Sequence, residues 1–383
     1  MLTSVRRTGV ASLALTAFVT TAGAAGLGSP ALAAEAHHHH GPGTIFVQTD
    51  DPTGNTVVAY DRAADGRLTQ AGTYATGGLG GVLDGSVVDH LASQGSLALD
   101  RRHHTLYAVN AGSDTVSVFG VQGDRLTRRA VLPSGGSFPV SITVHRDLVY
   151  VLNARDGGSV QGFRRGADGL SPIAGSNRAL GLDVSATPEF VNTPGQVAFS
   201  PDGSQLLVTT KANGNQVDAF SVGRSGAPSA SPTVNNLPGQ VPFAATFDRL
   251  GRVVLTEAGT NSVATFRLAG NGVLHAIATA ATGQAATCWI VRSGDSFYAS
   301  NAGSATLSGY RVSAGGQLAS LGTTGTDLGT VDATVTKDGK YLYVQAGQAG
   351  QVDAFRIRRD GALTPLGSVT VPGAVGGEGI AAG

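Results

Sequence analysis

The sequence predicts an all-β protein, and three observations carry that prediction. Charged residues are only 14% of the chain while glycine fills 56 of its 383 positions, a composition that suits many buried strands joined by tight turns. A pair of short apolar runs around a small polar turn recurs through the chain, as in "LYAVNAGSDTVSVFGV" (106–121) and "FYASNAGSATLSGYRV" (297–312). The two ends of the repeating region are each missing a strand that the other supplies. Together these predict a seven-bladed β-propeller with four antiparallel strands per blade.

Each element follows in order. An aromatic closes the second apolar run of every repeat: Tyr60, Phe119, Phe163, Phe220, Phe266, Tyr310 and Phe355, spaced 44 to 59 residues apart. The runs before it ("LYAVN", "VYVLN", "FYASN", "LYVQA") are short, aromatic-rich or β-branched, and bounded by turn residues, as half-buried strands are. After each aromatic comes a hairpin signal such as "AADGRL", "GNGVL" or "RDGAL", where glycine accepts the positive φ that a tight turn needs. A fourth run ("GSLALD", "VSITVH", "GQVAFS") precedes each pair as the inner strand. The repeating region opens on "GTIFVQT", a second strand without a first, and ends on "GGEGIAAG", a first strand without a second. The C-terminal strand is therefore expected to complete the N-terminal blade and close the ring, which leaves no open sheet edge.

The domain plan is residues 1–33 as a secretory signal, 34–43 as a His-containing tail and 44–383 as one propeller. Arg6 and Arg7 precede the apolar run "GVASLALTAFVTTAGAAG", and Ala31-Leu32-Ala33 is a small-residue cleavage site. The arginine pair leaves the general and twin-arginine export routes open. The run His37–His40 is a metal-scavenging tail or an added tag, with no role in the fold. No later segment is long and apolar enough to anchor the chain in a bilayer. The expected protein is secreted and, with its sheet edges closed, a monomer.

Lys+Arg and Asp+Glu both number 26, so no basic excess exists to neutralise a nucleic-acid backbone. Phosphate-binding loops, dinucleotide fingerprints and Cys/His zinc spacings are absent from the sequence, so nothing in it calls for a cofactor or a metal. Cys288 is the single cysteine and has no neighbouring His to activate it, so it is read as packing.

In a propeller the loops entering the inner strands and those joining second to third strands share one end, around the channel mouth. That end is expected to present Gln196, Asp332 and Glu378 from the inner-strand side. From the ends of the second strands it should present Asn110, Asn153, Arg155, Lys211, Glu257 and Asn301. Glu257 interrupts an otherwise uncharged column and is a candidate general base, or else the partner of Arg155 or Lys211. The insertion "GGLGGVLDGSVVDHLASQGS" (77–96) reads either as an exposed surface loop without a catalytic role or as a lid that brings His90, Asp84 and Asp89 inward. A second insertion, "LGLDVSATPEFVNTPG" (180–195), delivers Glu189 to the same end.

The repeats "LLVTTKANGNQVDAFSV" and "YLYVQAGQAGQVDAFRIRRDGALTPLG", with "VAFSPDGSQLLV" ahead of the first, resemble the seven-bladed propeller lactonase family. That family includes bacterial 6-phosphogluconolactonases and fungal carboxymuconate-lactonizing enzymes. The resemblance implies metal-free acid–base chemistry on a ring ester at the channel mouth, with histidine, arginine and glutamate prominent. Here Glu257 would activate water, Arg155 or Lys211 would stabilise the oxyanion, and the His90 loop would cover the site. Asn110, Asn153, Gln196, Asn301, Asp332 and Glu378 would bind the substrate, a lactone or sugar acid. The family's histidine ahead of an inner strand has no counterpart in this sequence. The alternative is a non-catalytic propeller that binds an extracellular ligand or protein.

Overall fold

The computed structural model describes residues 43–166 and 169–383. The signal segment and the His37–His40 tail lie outside the described residues. Seven antiparallel sheets follow one another in chain order, and each forms one blade. Blade 2, for example, runs from its inner strand Leu97–Asp100 through Thr105–Asn110 and Thr115–Gln122 to the outer Arg125–Pro133. Blade 1 is the composite one. Its inner strand is Ile380–Ala382, which pairs with Gly43–Gln48 in the register Ile45↔Ala382, Phe46↔Ala381 and Val47↔Ile380. The ring closes as the chain ends imply.

The seven anchor aromatics are buried, from 1% exposed at Tyr60 to 4% at Phe266, and each packs where neighbouring blades meet. Burying one such ring contributes roughly 1.5–3 kcal/mol, which explains why the repeat keeps an aromatic there. In blades 1, 2, 5, 6 and 7 the pairing of third and fourth strands bulges at this residue, and the extra twist lets flat sheets stack around an axis. Blade 3 differs: its outer strand is broken into Gly169–Pro172 and Arg178–Ala179.

Polar side chains seal the joints between blades by donating to carbonyls in the next blade's outer hairpin. Tyr150 donates to Gly226 O, Tyr298 to Gly361 O and Tyr343 to Gly66 O. Tyr74, Gln205 and Thr265 do the same at three further joints, to Asp124 O, Ala269 O and Gly316 O. No helix of the described residues is long and apolar enough to cross a membrane. The single α-helical turn among them, Glu189–Asn192, lies in the 180–195 insertion.

Candidate functional site

The 77–96 insertion does not cover the mouth as a lid. Its second half enters the ring and fills the mouth. Leu91, Ala92 and Ser93 are wholly buried, and Asp89 is 1% exposed. The segment bonds to blades on opposite sides of the axis. His90 N donates to Gly376 O at 2.7 Å on the approach to blade 1, and Gln94 N donates to Gly195 O at 3.0 Å before blade 4. Ser93 Oγ reaches Val140 O of blade 3 at 2.8 Å, and Ile290 N of blade 6 donates to Gln94 Oε1 at 2.8 Å. Trp289, the only tryptophan, donates its Nε1–H to Ser93 O and lies 4.8 Å from the Phe243 ring. A chain with this many bonds to its surroundings is a plug, since a lid would need few.

Buried charge holds the plug. Lys211 is 1% exposed and spends all three protons inside, on Ala92 O (2.8 Å), Phe190 O (2.7 Å) and Thr193 Oγ1 (3.2 Å). Burial lowers its ammonium to about 8. Glu378 receives the Ser93 N–H at 3.2 Å and also meets the Ser93 hydroxyl. That hydroxyl faces two acceptors, Val140 O and Glu378 Oε1. Burial, and then the Asp89 carboxyl beside it, hold Glu378 well above the ordinary carboxyl range. Asp89 is raised as well, by burial, while its Oδ2 accepts from Ala92 N at 2.6 Å. Asp50 and Asp332, pushed up to about 7 by burial, complete the ring of acids; Asp50 accepts from Glu378 N at 2.8 Å and Asp332 from Ala333 N at 2.9 Å.

The open site lies to one side. Between blades 3 and 4 the 180–195 insertion walls a cleft of about 180 Å³ lined by Arg155, Asp156, Asp183, Glu189, Asn192 and Asn213 among others. Arg155 grips Glu189 bidentately, Nε to Oε1 and Nη2 to Oε2, both at 2.8 Å. The guanidinium lies 4.2 Å over the Phe138 ring. Glu189 Oε2 also accepts Asp84 N at 2.9 Å, so the pair ties the two insertions together. The hydrogen bonds from Arg155 hold Glu189 below the ordinary carboxylate range, and Glu189 in turn raises Arg155. Arg155 Nη1 carries no protein hydrogen bond among the described residues and remains available to a ligand.

Of the sequence-predicted residues, Arg155 and Glu189 line this cleft, and the structure gives several others different work. Glu257 is 3% exposed and accepts Ser262 Oγ at 2.7 Å; burial raises its carboxyl, and it pairs with neither Arg155 nor Lys211. Lys211 has no proton left for an oxyanion. His90 turns its Nδ1 to Asp50 O at 3.1 Å, within the plug. Asn110 and Asn301 are fully buried and brace their own turns, Asn110 on Ser117 Oγ (2.8 Å) and Asn301 on Ser308 Oγ (2.9 Å). Asn153 is buried and reaches Ser159 Oγ at 3.4 Å. Gln196 Oε1 accepts Ala245 N at 2.6 Å across the joint to blade 5. Asp332 and Glu378 belong to the plug. Cys288 is partly buried, and its surroundings push the thiol up, away from nucleophilic use. Ser93 and Trp289 gave no signal as plug residues, because their meeting depends on the path of the insertion.

The closed ring of seven four-stranded blades defines the class as a seven-bladed β-propeller. The profile described as "Lactonase, 7-bladed beta-propeller" matches residues 85–376, and the chain belongs to that family. No curated protein matches the sequence. Among solved structures, the chain is similar to the periplasmic gluconolactonase of Pseudomonas aeruginosa, with a TM-score of 0.71 at 18% identity over 89% of this chain and 98% of that one. A candidate 6-phosphogluconolactonase from Bacteroides fragilis gives 0.70 at 22% identity, with the same coverage. A protein from Lactobacillus plantarum gives 0.71 at 20% identity, again over 89% and 98%. At these identities the likeness is one of fold.

Proposed function

We propose that this protein is an exported lactone hydrolase that binds its ring ester in the cleft between blades 3 and 4. Membership of the lactonase family supports the reaction class. The bidentate Arg155–Glu189 pair, facing a small cleft, is the observation that carries the site. Side chains alone are enough to write the steps. Glu189 takes a proton from water as the water oxygen attacks the ring carbonyl. Arg155 Nη1 receives the negative charge that develops on the carbonyl oxygen. The C–O bond of the ring then breaks, and the proton returns from Glu189 to the leaving alkoxide, giving a hydroxy acid. This reading moves the base from Glu257 to Glu189, and the oxyanion donor from Lys211 to Arg155. The signal-like N-terminus supports export, and the closed sheet edges support a monomer.

The test is acid release in a pH-stat from gluconolactone by the mature protein and by Arg155→Gln. The expected result is turnover by the wild type that falls at least hundredfold in the variant. A folded wild-type protein that releases no acid, or a variant with undiminished turnover, contradicts the proposal. One observation favours a second reading, a non-catalytic binder of sugar acids: Arg155 holds Glu189 below its ordinary range, which lowers its basicity. That reading expects saturable binding of gluconate, with no hydrolysis to lose.

A further inference from the structure

The joint between blades 2 and 3 is built unlike the other six. At the same strand position as Tyr150, Tyr298 and Tyr343 stands Tyr107. The first three give their hydroxyls to a turn glycine of the following blade. Tyr107 is 0% exposed, yet its hydroxyl meets no partner. A methyl built on Gly66, Gly226 or Gly361 would collide with the preceding blade, whereas one on the equivalent Gly169 would meet nothing within 4 Å. Beside Tyr107 lies a cavity of about 380 Å³ whose described polar lining is Tyr107, His103, Thr105, Arg129 and Arg165.

The charges in this cavity favour an anion. Arg165 has a buried Nε with no hydrogen-bond partner, and Asp100 Oδ2 is 4.0 Å from it. Asp100 is already committed, its Oδ2 to His103 Nδ1 at 2.6 Å and its Oδ1 to His103 N at 3.1 Å. Arg129 folds back over Gly120, where a methyl would lie 2.5 Å from its guanidinium, and so belongs to the same wall. Among the described residues two guanidiniums, Arg165 and Arg129, line this wall beside one carboxylate already bonded to His103. A phenol pushed up to about 12 by burial is a donor at any physiological pH. Buried donors without acceptors are costly, and a ligand that supplies acceptor oxygens relieves that cost.

We propose that the cavity between blades 2 and 3 is a binding site for a small oxyanion, a carboxylate or a phosphate, held by Arg165, Arg129 and the Tyr107 hydroxyl. Guanidinium forks match the paired oxygens of either group. The site does not depend on the cleft between blades 3 and 4 being catalytic.

The experiment is calorimetric titration of the mature protein with inorganic phosphate and, separately, with gluconate. The expected result is saturable 1:1 binding of one of them, weakened about tenfold or more by Arg165→Gln, as loss of a charge-assisted bond implies. Tyr107→Phe keeps the ring packing, and so the fold, and should weaken binding about threefold to tenfold. The probe that binds tells a phosphoryl ligand from a carboxylate. No saturable binding of either probe overturns the proposal. So does binding that is unmoved by Arg165→Gln and Tyr107→Phe but lost in Arg155→Gln, which would place the anion in the other cleft.

Discussion

The axial mouth and the cleft beside it use the same kinds of residue to opposite ends. At the axis, Lys211, Asp89 and Glu378 are buried and bonded to the plug segment or part of it, and their proton affinities are displaced toward the neutral forms. In the cleft, Arg155 and Glu189 are 39% and 28% exposed at the side chain, and they reinforce each other's charge. The first group builds a scaffold; the second remains able to meet a ligand. Position at a channel mouth is therefore a poor guide to reactivity unless the bonds already made are counted.

The comparison breaks most visibly at Lys211. Lys211→Met keeps the volume but strips Ala92 O, Phe190 O and Thr193 of their donor. Removing one partner of such a buried network costs about 3–5 kcal/mol, to be read as a lower midpoint of urea unfolding. Arg155→Gln should do the reverse. Its partly exposed ion pair contributes at most about 1 kcal/mol to stability, while loss of an oxyanion donor costs about 10²–10³ in kcat. A variant that loses several kcal/mol of stability would show that Arg155 is scaffold too.

A smaller effect sharpens the contrast through pH. Folded Glu378 keeps a proton that the unfolded chain releases above its ordinary 4.5. Its contribution is whole below about pH 4.5 and is lost as pH rises toward the raised folded value. Asp50 and Asp332, pushed to about 7, act in the same direction, and Lys211, lowered to about 8, stays protonated in both states up to neutrality. Unfolding free energy should therefore fall between pH 4.5 and 7. Asp89→Asn, whose amide can donate to Glu378, should flatten that slope and raise stability at pH 7 by about 1 kcal/mol. Smaller still is the optical signature: the single tryptophan, 1% exposed on Ser93 O, should emit as a buried indole and resist acrylamide quenching. Ready quenching would mean that the plug opens.

The fold was legible because it is written as a period. Seven aromatics at one strand position, the turn glycines and two incomplete ends determine blade number and closure without any long-range information. The site was legible only in part. Arg155 and Glu189 could both be placed at the mouth end, but their pairing depends on how the 180–195 insertion bends back, which no period records. Glu257 stood out as a lone charge in a neutral column, yet burial and Ser262 take it up. Loop composition alone does not tell a chain that lies over a channel from one that enters it, so the plug has no signature of its own in the sequence. The bonds from Trp289, Lys211 and Glu378 make that distinction, and they come from blades far apart in sequence.

The most direct test of the central claim, that reactivity lies in the lateral cleft, compares kcat/KM for lactone hydrolysis in Glu189→Gln and Glu257→Gln. The account predicts a loss of about hundredfold or more in Glu189→Gln and a change of no more than a few-fold in Glu257→Gln. Wild-type rates in Glu189→Gln together with inactivity of a folded Glu257→Gln would contradict it and return the base to blade 5.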